Sequence, residues 1–215
     1  MAATVQIEEI TGTAGSETYT VKNTSKFSRY FTEDTHASSQ TTNPIPIPTN
    51  NGGVSGSYWK THCINVTVAP STYIKNLRYY INWAAHPSST SEWDLGYKGD
   101  HVIGISSATI ADARIYTQGF PTSQYDQATG VVGVYGDFIS GNHSYYSAIA
   151  TALSGGATSN YDFTTQGNAY MVQSGQVVGA TTGRSYCIVT QVLVASGATQ
   201  GEKADKTATF VYDEV

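Results

Sequence analysis

One run limits the choice of fold more than any other: residues 186–195, Tyr-Cys-Ile-Val-Thr-Gln-Val-Leu-Val-Ala. Successive side chains of a strand point to opposite sides, so Tyr186, Ile188, Val192 and Val194 share one face. Cys187, Val189, Leu193 and Ala195 share the other. Apolar groups on both faces predict a strand inside a sheet rather than at its rim. A small-residue, polar connection follows over residues 196–206. Residues 207–215 then give a thinner run, with Phe210 and Tyr212 on one face and Thr209, Val211 and Asp213 on the other. Two strands joined by a loop are expected here, the first in the sheet interior with Cys187 near Cys63, the second nearer an edge.

The same period of two recurs upstream. In residues 58–69, Ile64, Val66 and Val68 oppose Trp59, Thr61, Cys63, Asn65 and Thr67. In residues 73–83, Tyr73, Leu77, Tyr79, Ile81 and Trp83 oppose Ile74, Asn76, Arg78, Tyr80 and Asn82. Pro70-Ser71-Thr72 separates the two runs, which predicts an antiparallel pair. Residues 4–10 and 17–22, divided by a turn-rich break, predict an N-terminal hairpin. Shorter strands are expected over 101–105, 113–117, 161–163 and 169–173. Another, over 131–139, would be bent at Gly133 and Gly136. Residues 145–153 place Tyr146, Ile149, Ala150 and Leu153 at helical spacing ahead of Gly155-Gly156, predicting one short helix. No fixed-period repeat is present, which excludes a solenoid or propeller.

These elements predict an all-β chain: an antiparallel β-sandwich, jelly-roll or immunoglobulin-like Greek key, with an extended N-terminal region and at most one short helix. Residues 1–57 would carry the hairpin and a proline-rich arm, and residues 58–215 the sandwich, as one continuous domain. A chain of 215 residues is long enough to bury a full core without disulfides or metal.

The arm is the distinctive part of a polar stretch over residues 23–56. Pro44, Pro46 and Pro48 fix φ and remove every second N–H donor, so the segment must be extended and cannot be a central strand. Ile45 and Ile47 then lie on one side. They either pin a loop to their own domain or clamp a neighbouring subunit. Pro44, Ile45, Pro46, Ile47 and Pro48 are therefore interaction candidates.

Composition narrows the function classes. Only 13% of residues are charged, against roughly 25% in an average soluble domain. Secreted sandwiches, coat proteins and adhesins share this hydroxyl- and amide-rich surface. A net charge of -5 with 11 scattered Lys and Arg offers no basic footprint for phosphate, so no direct nucleic-acid partner is expected. No stretch of eighteen apolar residues exists to cross a membrane as a helix, and no membrane partner is expected. The first residues lack the basic and apolar regions of a signal peptide, which predicts synthesis and use without Sec export, or prior removal of a leader.

Catalytic and metal motifs are absent. His36, His62, His86, His101 and His143 never fall at zinc-site spacing, and Glu92, Asp94 and Asp100 match no calcium loop. No phosphate-cradling loop, nucleophile elbow or local carboxylate pair appears. Catalytic, cofactor and metal residues are thus none, and the chain reads as non-enzymatic. Cys63 and Cys187 are read as two buried thiols; as a disulfide they would close a loop of about 100 residues and add roughly 4 kcal/mol. Trp59 and Trp93 could stack on sugars, and Trp93, set in a polar loop, is the candidate for surface recognition. Sequons at Asn23, Asn65 and Asn142 carry weight only for a secreted chain.

Several short motifs run in a familiar order: Asn43-Pro44-Ile45-Pro46-Ile47-Pro48, Ser57-Tyr58-Trp59-Lys60, Ile74-Lys75-Asn76-Leu77-Arg78-Tyr79-Tyr80, Gln191-Val192-Leu193-Val194, Ala198-Thr199-Gln200-Gly201 and Phe210-Val211-Tyr212-Asp213-Glu214. From residue 43 onward this order resembles β-sandwich structural proteins of virus particles, from tailed phages or archaeal viruses. The resemblance implies a capsid-associated, decoration, turret or tail component that works by assembling, with no catalytic residues to carry over. Its expected partners are copies of itself and other virion proteins, and its expected location is the virion, assembled in the host cytoplasm. The rival expectation is an extracellular carbohydrate-binding or adhesin module, whose partner would be a glycan.

Overall fold

A computed structural model of the protein describes residues 2–22, 28–31, 35–36, 44–45, 47, 54–57, 60–82, 102–110, 158–159, 166–195, 200–201 and 207–215. The elements among them are eleven strands and one 3-10 turn at Gln166–Asn168, all-β as expected. The strands are β1 (Thr4–Thr11), β2 (Thr18–Lys22), β3 (Val54–Gly56), β4 (Lys60–Val68), β5 (Ile74–Asn82) and β6 (Val102–Ala108). They continue with β7 (Thr158–Ser159), β8 (Tyr170–Val178), β9 (Gly183–Arg184), β10 (Cys187–Ala195) and β11 (Thr207–Glu214).

The predicted hairpin forms, with β1 and β2 antiparallel from Ile7↔Lys22 to Thr11↔Thr18. Its turn requires glycine at position 12: φ is +90°, and a Cβ there would meet the Ser16 carbonyl oxygen at 2.7 Å. The Ser16 N–H closes the turn on the Thr13 carbonyl at 2.9 Å.

Two antiparallel sheets result. The larger runs β2-β1-β4-β10-β6-β7, with β3 also paired to β10 and β9 to β4. The smaller runs β11-β5-β8. As its two apolar faces predict, β10 lies in the interior, with β3 and β4 on one side and β6 on the other. Among the described residues β11 pairs only with β5 and ends the order of the smaller sheet.

The two sheets meet over a shared core. Ile64 of β4 and Ile188 of β10 pack with Leu77 and Tyr79 of β5 and Val172 of β8. Val66, Ile74 and Val178 form an adjoining cluster, and Tyr79 meets the Phe210 ring edge-on at 5.2 Å. Full burial of one such aliphatic side chain is worth roughly 1.5–3 kcal/mol over exposure.

The expected pairing of residues 58–69 with 73–83 does not occur. Both edges of β4 are already taken, by β1 on one side and by β9 and β10 on the other, so the chain crosses at Pro70-Ser71-Thr72 into the other sheet. The closing runs likewise divide between the sheets, β10 in the larger and β11 in the smaller. Val68, expected in line with Ile64 and Val66, has run past the core and is 40% exposed. The predicted strand over 169–173 is the start of the longer β8. The predicted helix over 145–153 and the strands over 113–117, 131–139 and 161–163 lie outside the described residues.

The face assignment within β5 is also corrected. Ile74 was expected opposite Leu77, yet both are fully buried. Asn76 takes a left-handed φ of 52°, and the register slips at this point against both β8 and β11. The bulge adds a residue between Ile74 and Leu77 and turns both inward. Asparagine suits the position: its Nδ2 donates to Asp213 at 2.9 Å, and its Oδ1 accepts from the Gly175 N–H at 3.2 Å. Asn76→Val should cost roughly 1–3 kcal/mol in urea unfolding and Asn76→Gly less, because glycine tolerates the backbone and loses only the bonds. Equal costs for the two variants would show that the backbone conformation does not set the penalty.

Candidate functional site

The period of two that builds the core also places charge inside it. On β1, Val5, Ile7 and Glu9 share the face turned toward the smaller sheet; on β4, Lys60, His62, Ile64 and Val66 do the same. The register sets Ile7 opposite Ile64 and Glu9 opposite His62. On β2, Lys22 pairs with Ile7 and projects from that face too. One end of the apolar layer is therefore closed by a polar cluster.

Glu9 is its centre and is completely buried. Its Oε2 accepts from Lys22 Nζ at 3.0 Å and from Ser28 Oγ at 2.9 Å, with His36 Nδ1 at 3.1 Å. Its Oε1 accepts from Lys60 Nζ at 3.2 Å, and Lys60 is itself 1% exposed. Burial alone would push the Glu9 carboxyl up. The positive charges of His62, Lys60 and Lys22, with the Lys22 hydrogen bond, outweigh burial and bring it down to about 2. In the acidic range where Glu9 titrates, His62 is itself positively charged, and its charge does most to hold the carboxyl down.

At neutral pH His62 is not charged. Burial pushes its imidazole down to about 4; Lys22, Lys60 and His36 push the same way, and the opposing pull of Glu9 is insufficient. The approach of His62 Nε2 to Glu9 at 3.8 Å is then a contact and not an ion pair. The tautomer follows from proton counting. Ser28 has one hydroxyl hydrogen, which it gives to Glu9, so His62 Nε2, 2.6 Å from the same oxygen, must donate. The chain of donation runs His62 to Ser28 to Glu9. A nucleophilic serine needs the imidazole as acceptor and the carboxylate on its far nitrogen; this trio is wired the other way and works as a cap.

What the cluster holds is the polar segment after β2. Lys60 Nζ donates to the Thr35 carbonyl at 2.5 Å and lies 4.2 Å over the Phe31 ring, and Phe31 is buried. The Tyr30 hydroxyl shares a 2.6 Å hydrogen bond with Thr190 of β10. On the opposite face of β1, Glu8 accepts from Arg184 Nε at 2.6 Å and from Asn65 at 2.9 Å, and the Arg184 guanidinium stacks 3.8 Å over Tyr19.

Of the predicted interaction residues, Ile45 and Ile47 are half-buried against the main core cluster of their own chain, and Pro44 is exposed. Pro46, Pro48 and Trp93 lie outside the described residues. Cys63 and Cys187 are both buried free thiols. Among the described residues no group of His, Cys, Asp and Glu side chains is arranged to hold a metal ion. No family model, curated protein or solved structure matches the chain.

Sequence reasoning passed over the Glu9 cluster because it weighed histidines for zinc spacing and carboxylates for catalytic pairs. The usable signal was different: Glu9 in line with Val5 and Ile7, and Lys60 and His62 in line with Ile64 and Val66. Charged residues at core-face positions on two strands must find each other or not be buried at all.

Proposed function

We propose that this chain is a non-enzymatic virion structural protein: a β-sandwich of jelly-roll or immunoglobulin-like type that assembles with copies of itself and with other particle proteins. The carrying observation is the edge strand β11. It is eight residues long and has one partner among the described residues. Residues 207–212 contain no charge and no proline, the devices that usually blunt an edge. Its bulge, together with Asp213 and Glu214, guards only one end. Such an edge accepts an extended segment of a neighbour by strand addition. The low charge, the aromatic-rich strands and the order of short motifs support the virion setting, with the chain made in the host cytoplasm and retained in the particle.

Sedimentation of the purified chain over a wide concentration range should show self-association, and images of the source particle should show the chain as a repeated unit. A strict monomer at high concentration with no binding to particles would sink the reading.

A further inference from the structure

The Glu9 cluster ties a separate segment to the sheet. Ser28 and His36 contact Glu9 of β1, the Thr35 carbonyl and the Phe31 ring contact Lys60 of β4, and Tyr30 contacts Thr190 of β10. Ser28 also takes the hydrogen of His62. These tethers converge on one buried centre, and the centre has a titratable member that is neutral when the segment is seated.

We propose that the cluster is an acid-released latch, in which protonation of His62 lifts the segment carrying Ser28, Tyr30, Phe31, Thr35 and His36 off the sheet while the strands stay paired. The added proton goes to Nδ1, because Nε2 already carries a hydrogen directed at Ser28. The resulting imidazolium is buried beside two ammonium groups. Among the described residues, the titratable groups near it are Glu9 from β1, Lys22 from β2, Lys60 from its own strand, and His36 and Tyr30 from the segment; β10 opposes it with Ile188. One carboxylate faces both lysines, so a further positive charge is repelled in the closed state. Once the segment lifts, water reaches the imidazole and its ordinary proton affinity returns.

The signs follow directly. The seated His62 holds a proton only below about 4, and the released one already does so near 6.5. Acid therefore favours release, with the effect growing as pH falls from 6.5 to 4 and complete below that. Between pH 7.5 and pH 5 the open-to-closed ratio should rise roughly 30-fold. Glu9 stays ionised throughout this window, so the response does not come from the carboxylate, and the His62→Gln variant separates His62 from His36, the other histidine of the cluster.

Hydroxyl-radical footprinting of the full chain at pH 7.5 and pH 5 tests this, with buried Phe31 as reporter and buried Leu77 as control. The labelling rate of Phe31 should rise by up to roughly 30-fold while that of Leu77 stays constant. His62→Gln, whose amide nitrogen can still donate to Ser28 but cannot titrate, should remove the pH response. A Phe31 rate independent of pH, a parallel rise at Leu77, or a His62→Gln variant that responds like the wild type would overturn the latch. If that variant fails to fold, the wild-type comparison of Phe31 with Leu77 decides alone. Because the readout uses the isolated chain, it is independent of the assembly reading.

Discussion

Glu9→Gln is expected to lower the free energy of unfolding at pH 7 by roughly 3–5 kcal/mol, the range for breaking a buried ion pair from one side. Glutamine keeps the length of the side chain but presents an uncharged amide to groups that all need an acceptor. Lys60 and Lys22 lose their shared buried carboxylate, and an NH2 group replaces one of the two accepting oxygens. The matched variant on the other face, Glu8→Gln, should cost less, roughly 1–3 kcal/mol: Glu8 is itself buried, but its one cationic partner, Arg184, is 35% exposed and keeps access to water.

Acid provides an internal check. The folded-state value of Glu9, about 2, lies below its ordinary 4.5, so its contribution is fully present above pH 4.5 and disappears as pH falls toward 2. Urea unfolding of wild type and Glu9→Gln should therefore differ most at neutral pH and converge below pH 4.5. A difference under about 1 kcal/mol at pH 7 would mean that Glu9 is not the keystone of the cluster.

The strands themselves were legible. Hydrophobic alternation located the N-terminal hairpin and β4, β5, β8, β10 and β11, and the two-faced pattern of residues 186–195 placed β10 inside a sheet. Beyond that hairpin, partnering was not legible, because alternation specifies which face a residue takes and not which edge it pairs along. Runs separated by Pro70-Ser71-Thr72 invite a hairpin; what prevents it is the occupation of both edges of β4 by strands distant in sequence. The bulge at Asn76 escaped notice for a related reason. A single left-handed residue inverts the face of everything beyond it, and only an asparagine inside a run of otherwise strand-like residues hints at it. The Glu9 cluster was hidden by register: Glu9 meets Lys60 and His62 only when β1 lies against β4.

Leu77→Ala is expected to cost roughly 2–5 kcal/mol, the range for a large-to-small change in a packed core. Leu77 is fully buried in the cluster that joins Ile64 and Ile188 of the larger sheet to Tyr79 and Val172 of the smaller one. It reaches that cluster only because the Asn76 bulge directs it inward. The lost methyl groups would leave a void beside Tyr79, whose rigid ring packs edge-on against Phe210 of the neighbouring strand and collapses poorly. Val68→Ala, at a site 40% exposed, should change stability by about 0.5 kcal/mol or less. Coupling locates the effect between the sheets: Ile64→Val and Leu77→Ala combined should depart from additivity by roughly 0.5 kcal/mol or more, since each change alters the same cavity. Additive costs for that pair would mean the two sheets do not share a core at Leu77, and the bulge would then lose its structural purpose.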